Sequence, residues 1–263
     1  MSSFVDATDV RRDRLVALAS LLTLALLAWL YLWIEAGRMD AMMAGHGAMV
    51  PAAPDAHPWH AGSLLLTFLM WSVMMVGMML PSAAPAILLY GSLVRKNRAA
   101  GSALPSAWAF TTGYLAVWTT FSLAATLLQA ALESARLLTP MMVSANVWLS
   151  GGLLIAAGVY QWLPVKDACL EKCRAPLQLF LFRWRPGTWG VLRMGAEHGA
   201  FCVGCCWALM LLLFTGGVMN LLWVALIAGF VLVEKLLPGG ILIGRLAGIG
   251  LVAAGAGMIL SAA

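Results

Sequence analysis

Sulfur and imidazole side chains are concentrated in one short run of this sequence, EHGAFCVGCCWALM. The candidate ligands in it are Glu197, His198, Cys202, Cys205, Cys206 and Met210. On a helix, His198, Cys202 and either Cys205 or Cys206 fall on one face, because residues three and four apart are neighbours. Thiolates are preferred ligands of soft metal ions, so the spacing predicts a soft-metal site, most readily for Cu(I). The alternative is that these cysteines are small buried hydrophobes that only pack.

Methionines form a second pattern, in the run MWSVMMVGMMLPSAAP. Met70, Met74 and Met78 recur at every fourth residue, and Met75 and Met79 form a second row beside them. Thioethers are soft, neutral donors that suit Cu(I). A ladder of such donors would lead from the outer half of a membrane span toward its middle. Methionine is also an adaptable apolar filler, which is the alternative for these residues.

Cys169 and Cys173 form a second cysteine pair, four residues apart and flanked by Lys166, Lys172 and Arg174. Nearby positive charge is expected to lower the pKa of both thiols and to raise their thiolate character. A structural zinc site is a weaker reading, since such sites usually have four ligands at tighter spacing.

A further segment, residues 35–62, is rich in methionine and histidine. It contains Met39, Met42, Met43, His46, Met49, His57 and His60. Such a segment could collect copper outside the membrane, or it could be a solvated linker.

The elements that position these residues are predicted to be membrane-spanning helices. Hydrophobic residues make up 62% of the chain, charged residues only 10%, and the mean hydropathy is +0.91. Soluble domains carry roughly 25% charged residues. Windows long enough to cross a bilayer as helices lie at about 15–34, 64–91, 106–131, 143–163, 198–218, 221–237 and 240–262. The fold class is therefore all-α, a polytopic transmembrane bundle of about seven spans.

Lysine and arginine predict the orientation. With the N-terminus inside and the C-terminus outside, 14 of the 16 basic residues lie on the cytoplasmic side, and only Arg38 and Arg136 lie outside. The net charge of +5 then reflects topology and not a nucleic-acid partner. Residues 35–62 become an external loop and 164–197 an internal loop. We divide the chain into an N-terminal anchor helix with its external loop, 1–63, and a six-helix membrane domain, 64–263.

Polar and small residues near the end of the chain predict contacts between the last two spans. Glu234 and Arg245 flank a Pro-Gly-Gly turn, and a salt bridge between them is expected. Gly244, Gly248 and Gly255 recur at helical spacing, which favours close helix packing.

The chain resembles a bacterial family of predicted metal-binding integral membrane proteins, domain-of-unknown-function family 2182, over about residues 64–240. The residues that carry the resemblance are Trp71, Met74, Met78, Pro81, Pro164, Lys166, the run CLEKCRAP (Cys169 to Pro176), the run CVGCCWALM (Cys202 to Met210), Gly217, Val218, Met219, Asn220, Glu234 and Lys235. The resemblance implies metal binding in a bacterial inner membrane, and a small partner protein, without assigning a reaction.

Three functions remain open. The first is copper handling, in which Cu(I) or another soft metal is bound and passed across the membrane or to a metallochaperone. The second is a copper-dependent membrane enzyme of the oxygenase or oxidase type, with Glu197 and His198 beside the cysteines. The third is a scaffold without metal. In the first case we expect the methionine ladder to face the cysteines, with Met78 and Met79 at the depth of Met210.

Overall fold

The computed structural model describes residues 7–45, 59–99, 105–139 and 142–262. Its helices are α1 (Ala7–Gly45), α2 (Ala61–Ala99), α3 (Ala107–Ser134), α4 (Val147–Tyr160), α5 (Pro164–Arg174), α6 (Pro176–Phe182), α7 (Gly187–Leu211), α8 (Leu213–Gly216), α9 (Leu221–Leu236) and α10 (Gly240–Leu260). Across these ranges there is no β-strand, only an isolated bridge between Leu138 and Ser144. The all-α helical bundle is confirmed.

In the part of the chain that the structure describes, five helical segments are long and apolar enough to cross a membrane. They are Arg14–Met39, Ala61–Arg95, Ala107–Ser134, Gly187–Gly216 and Gly240–Leu260. Helices α4 and α9 are apolar but shorter, with 14 and 16 residues. The seven-span count, the orientation and the division at residue 63 therefore stay predictions. The apolar segments suggest an integral membrane protein.

The internal segment 164–197, predicted as a loop, is largely helical. It contains α5, α6 and the first turns of α7, which begins at Gly187. Pro164 and Pro176 each lie at the start of their helix, where proline's missing N–H costs nothing. A search for long apolar windows cannot detect helices this short or a helix start this polar, which is why the sequence analysis missed them.

Glycines allow two close helix crossings that hold the bundle together. Between α3 and α7, a side chain at Gly195 would collide with the carbonyl oxygen of Phe110. Between α4 and α10, a Cβ at Gly158 would lie 2.7 Å from the carbonyl oxygen of Gly248, and one at Gly255 would lie 2.6 Å from that of Gly151. The packing role predicted for Gly248 and Gly255 is thus borne out by these contacts.

The expected Glu234–Arg245 salt bridge is wrong. The Glu234 carboxylate forms an ion pair with Lys166 of α5, and both side chains are buried. Lys166 also donates to Gln161, and Arg245 binds Asp167 at 2.8 Å. The turn between α9 and α10 brings α5 against both helices, and a sequence reading of the hairpin alone could not include that third partner.

The predicted inner-face charges also need correction. Lys166 and Lys235, counted among the cytoplasmic basic residues, are buried in the protein, with 1% and 6% of their surface exposed. They face polar groups of neighbouring helices and not the aqueous phase. Their contribution to the charge bias is therefore not a measure of orientation.

The outer methionine and histidine segment is described only at its ends. Met39 is half-buried near the end of α1, and His60 is exposed, with its Nδ1 2.7 Å from Ser63 Oγ. Met42 and Met43 belong to α1, but their side chains lie outside the description, as do His46, Met49 and His57 entirely.

Candidate metal centre

Helix α7 carries the predicted cysteines on its buried face. Cys202, Cys205 and Cys206 are each no more than 1% exposed. The thiols of Cys205 and Cys206 both donate to the carbonyl oxygen of Cys202, at 3.1 and 2.9 Å. The spacing expected from the sequence therefore brings these three side chains to the same turn of the helix.

Helix α5 adds a fourth thiol. It packs against α7, and the buried Cys173 side chain lies close enough to Cys202 and Cys205 to interact with both thiols. We refer to Cys173, Cys202, Cys205 and Cys206 as the thiol group. All its members are buried and, like Cys169, free of disulfide bonds.

Cys202 has two polar neighbours that the sequence analysis did not place in the site. Its Sγ lies 2.8 Å from Lys235 Nζ of α9 and 3.1 Å from the Tyr114 hydroxyl of α3. Lys235 also lies 3.2 Å from Ser82 Oγ of α2. An ionisable residue inside a span is a functional candidate by default, a signal that could have flagged Lys235. Nothing in the sequence pattern could have found Tyr114.

The two methionine rows of α2 face the protein interior. Met74, Met75, Met78 and Met79 are at most 2% exposed and share one core with the cysteines. Helix α3 packs against both α2 and α7. Its Tyr114 donates to the carbonyl oxygen of Met79 while its hydroxyl touches the Cys202 thiol, so Met79 is level with Cys202.

The predicted depth of the methionines is wrong by about two helical turns. Met210 lies two turns beyond Cys202, roughly 12 Å at 1.5 Å per residue, and so is not level with Met79. Toward the other end of the contact, the rings of Trp71 and Phe214 lie 5.5 Å apart. The methionines between Trp71 and Met79 therefore span the depth between Phe214 and Cys202. The depths had been compared by aligning the predicted hydrophobic windows. That comparison failed because α7 begins at Gly187, whereas the predicted window begins at residue 198.

The remaining candidates of α7 divide between two surroundings. The buried His198 ring packs against Phe110 and Tyr114, each at 5.9 Å between ring centres, and its Nδ1 has no hydrogen-bond partner in the described part of the chain. Met210 is fully buried. The Glu197 carboxylate instead binds arginines, at 2.8 Å from Arg185, 3.7 Å from Arg183 and 3.8 Å from Arg193. Glu197 is thus engaged in an ion-pair network, whereas His198 faces the site.

Burial and the neighbouring thiols, and not positive charge, determine the pKa values of Cys169 and Cys173. Desolvation, reinforced by Cys205, raises the pKa of Cys169 despite the opposing effect of Lys172. Hydrogen bonds with Cys202 and Cys205, together with burial, raise the pKa of Cys173. The expected lowering of these pKa values is therefore wrong. Cys169 is partly exposed and lies against Gly204, where a Cβ would be 2.7 Å from its Sγ.

Within the described residues, no group of three or more histidine, cysteine, aspartate or glutamate side chains is arranged as a preformed metal site. The Cys205 and Cys206 thiols are held by hydrogen bonds to backbone, and the Cys202 thiol by Lys235 and Tyr114. Loading a metal would require these hydrogen bonds to be exchanged for metal bonds.

Comparison with known proteins points to copper. The profile of a family described as "PpoB2: Copper chaperone" matches residues 68–258. The match spans α2 to nearly the end of α10 and includes every member of the thiol group. It supports a copper-related family and does not bear on the family 2182 name. No curated protein and no solved structure matches the chain.

Proposed function

The chain belongs to the PpoB2 copper chaperone family, and we propose that it binds Cu(I) at the thiol group and passes it to a partner protein. Copper is the cargo of this function and not a resident cofactor. The proposed setting is the bacterial inner membrane, and the proposed partner is a small metallochaperone.

One observation carries the proposal. Cys173 comes from α5, 29 residues before Cys202, yet its buried side chain lies close enough to Cys202 and Cys205 of α7 to interact with both thiols. Cysteines that served only as small hydrophobes would have no reason to converge from separate helices. Thiolates from different elements, gathered in a dry interior, are what a soft ion requires.

The donor set fits Cu(I). Its members are thiols, with a thioether one turn beyond Cys206 on α7 at Met210 and others in the same buried core at Met74 and Met78. Cu(I) is satisfied by two or three sulfur ligands, so the thiol group alone suffices. No carboxylate is among the hydrogen-bond partners of these thiols in the described chain. Hard ions that prefer oxygen ligands would find little to bind here.

Cys169 gives the proposed route to a partner. It is the only cysteine of the five that is partly exposed, and it packs between the surface and α7 near Cys205. Soft ions move between proteins by exchange of one thiol ligand for another. Cys169 is placed to take part in such an exchange at the inner face.

The test is copper stoichiometry in the purified full-length protein, reduced and held without oxygen. The variant with both Cys205 and Cys206 changed to serine should lose its Cu(I) under a chelator challenge that the wild type withstands, because only two of the four thiols remain. A matched control is Ala208→Ser, which adds a hydroxyl to the buried face of the same helix without removing a thiol. It should retain copper.

Each alternative predicts another result. Full copper occupancy in the double variant would show that the thiols only pack, as in a scaffold. Copper bound at the thiols together with turnover of an oxidisable substrate would show a copper-dependent enzyme. Transfer of copper to a thiol acceptor without turnover is the result we expect.

A further inference from the structure

Lys235 is a buried cation beside the thiol group. Its Nζ lies 2.8 Å from Cys202 Sγ and 3.2 Å from Ser82 Oγ. The neighbouring Glu234 turns to the other side of α9 and pairs with Lys166. Over the described ranges, no carboxylate lies within ion-pair distance of Lys235. The nearest polar partners of the ammonium group are therefore the Cys202 thiol and the Ser82 hydroxyl, and the Glu234 carboxylate interacts with it only beyond ion-pair distance.

A charge in this position is costly to keep. A buried ammonium is retained only where an anion compensates it. All four members of the thiol group are close enough to interact with the charge of Lys235. Metal binding requires thiols to ionise, so a loaded site would supply the missing negative charge. The positive charge of Lys235 is thus best compensated when the site holds a metal ion and its thiols are ionised.

We propose that Lys235 is the counter-cation of the thiol group and selects a monovalent soft ion over a divalent one. The inference rests on the proposed function. Two thiolates, one Cu(I) and one ammonium sum to zero charge, which a dry interior favours. A divalent ion on the same two thiolates would leave one positive charge. Because it carries one more charge, a divalent ion is also repelled more strongly by Lys235.

The experiment compares affinities for Cu(I) and Cd(II), two soft ions of different charge, by competition with chromophoric chelators. Lys235→Leu removes the charge and keeps an apolar side chain, without adding a sulfur donor beside Cys202. It should lower the ratio of Cu(I) to Cd(II) affinity by at least about tenfold, since a unit charge about 4 Å away in a protein interior changes binding by more than that. Lys235→Arg keeps the charge and should keep the ratio within about threefold.

Two further variants separate charge from packing. Tyr114→Phe removes the other hydrogen-bond partner of Cys202 without changing charge, and should leave the ratio unchanged. Ser82→Asp adds a carboxylate beside Lys235 and should lower the ratio as Lys235→Leu does, with the lysine still in place. It keeps the test valid if Lys235→Leu does not fold.

The outcomes are distinct. An unchanged ratio in Lys235→Leu, or in Ser82→Asp if the former is unfolded, overturns the counter-cation role while copper binding stands. An equal fall in Tyr114→Phe overturns it also, because the effect would then be hydrogen bonding. Wild-type protein that binds neither ion would overturn both the inference and the proposed function.

Discussion

The buried Lys166–Glu234 pair offers a quantitative test of how α5 is held in place. Both side chains are 1% exposed, and the pair links α5, which carries Cys173, to α9, which carries Lys235. Lys166→Met leaves the Glu234 carboxylate buried without its cation. Removing one partner of a buried pair typically costs about 3–5 kcal/mol.

The carboxyl can avoid part of this cost by taking up a proton. From an ordinary glutamate pKa of about 4.3, protonation at pH 7 costs about 1.36 kcal/mol for each unit, or about 3.7 kcal/mol. The free energy of unfolding that Lys166→Met loses at pH 7 should therefore not exceed about 4 kcal/mol. At pH 5 the same arithmetic gives about 1 kcal/mol. The destabilisation should shrink as the pH falls, because the neutral carboxyl is the form that the variant's fold tolerates.

The assay is the free energy of unfolding of the detergent-solubilised protein, measured for variant and wild type at pH 7 and pH 5. The matched control is the double variant Lys166→Met with Glu234→Gln, which removes both charges and should recover most of the stability. A loss below about 1 kcal/mol at pH 7, or a loss that does not change with pH, would refute the reasoning that this pair is buried and unsolvated.

Three other predictions follow from single contacts. Cys173→Ser should weaken Cu(I) binding, measured by chelator competition. Cys169→Ser should keep the copper stoichiometry and slow the transfer of copper to a thiol acceptor. Equal Cu(I) affinities in the two variants would show that Cys173 is not part of the site. Because burial raises the pKa of Cys169, maleimide labelling of this thiol at pH 7 should be slower than that of a free cysteine and should increase as the pH rises toward 9 and above; labelling as fast as free cysteine would contradict its burial. Gly158→Val should destabilise the protein by about 1–3 kcal/mol in thermal unfolding, since its Cβ would meet the Gly248 backbone at the α4–α10 contact. The control Gly152→Val has open space around its Cβ and should not destabilise it. Equal losses would show that helix propensity and not packing is responsible.

The sequence was sufficient for the parts that depend on local pattern. Apolar length and the absence of charge predicted the helical membrane fold, and three- and four-residue spacing placed Cys202, Cys205 and Cys206 on one buried face. The methionine ladder was expected to face the cysteines, and it lies in the same buried core. These features follow from helix geometry alone, and helix geometry is independent of what the neighbouring helices do.

The parts that failed depend on contacts between distant elements. Lys166 was placed in the cytoplasm and Glu234 was paired with Arg245, because the packing of α5 against α9 cannot be read from either segment. Cys173 was expected to be an exposed, acidic thiol, since flanking charges are visible in sequence and burial is not. The polar contacts of Lys235 and Tyr114 with Cys202 were missed for the same reason, because they join residues of α9 and α3 to α7.

The most direct test of the central claim is copper X-ray absorption spectroscopy of the reduced, copper-loaded full-length protein. The account predicts two or three sulfur atoms as the nearest neighbours of Cu(I), with at most one imidazole nitrogen, and fewer sulfurs in Cys202→Ser. A shell dominated by nitrogen and oxygen, or one that is the same in wild type and in Cys202→Ser, would contradict a copper site at the thiol group.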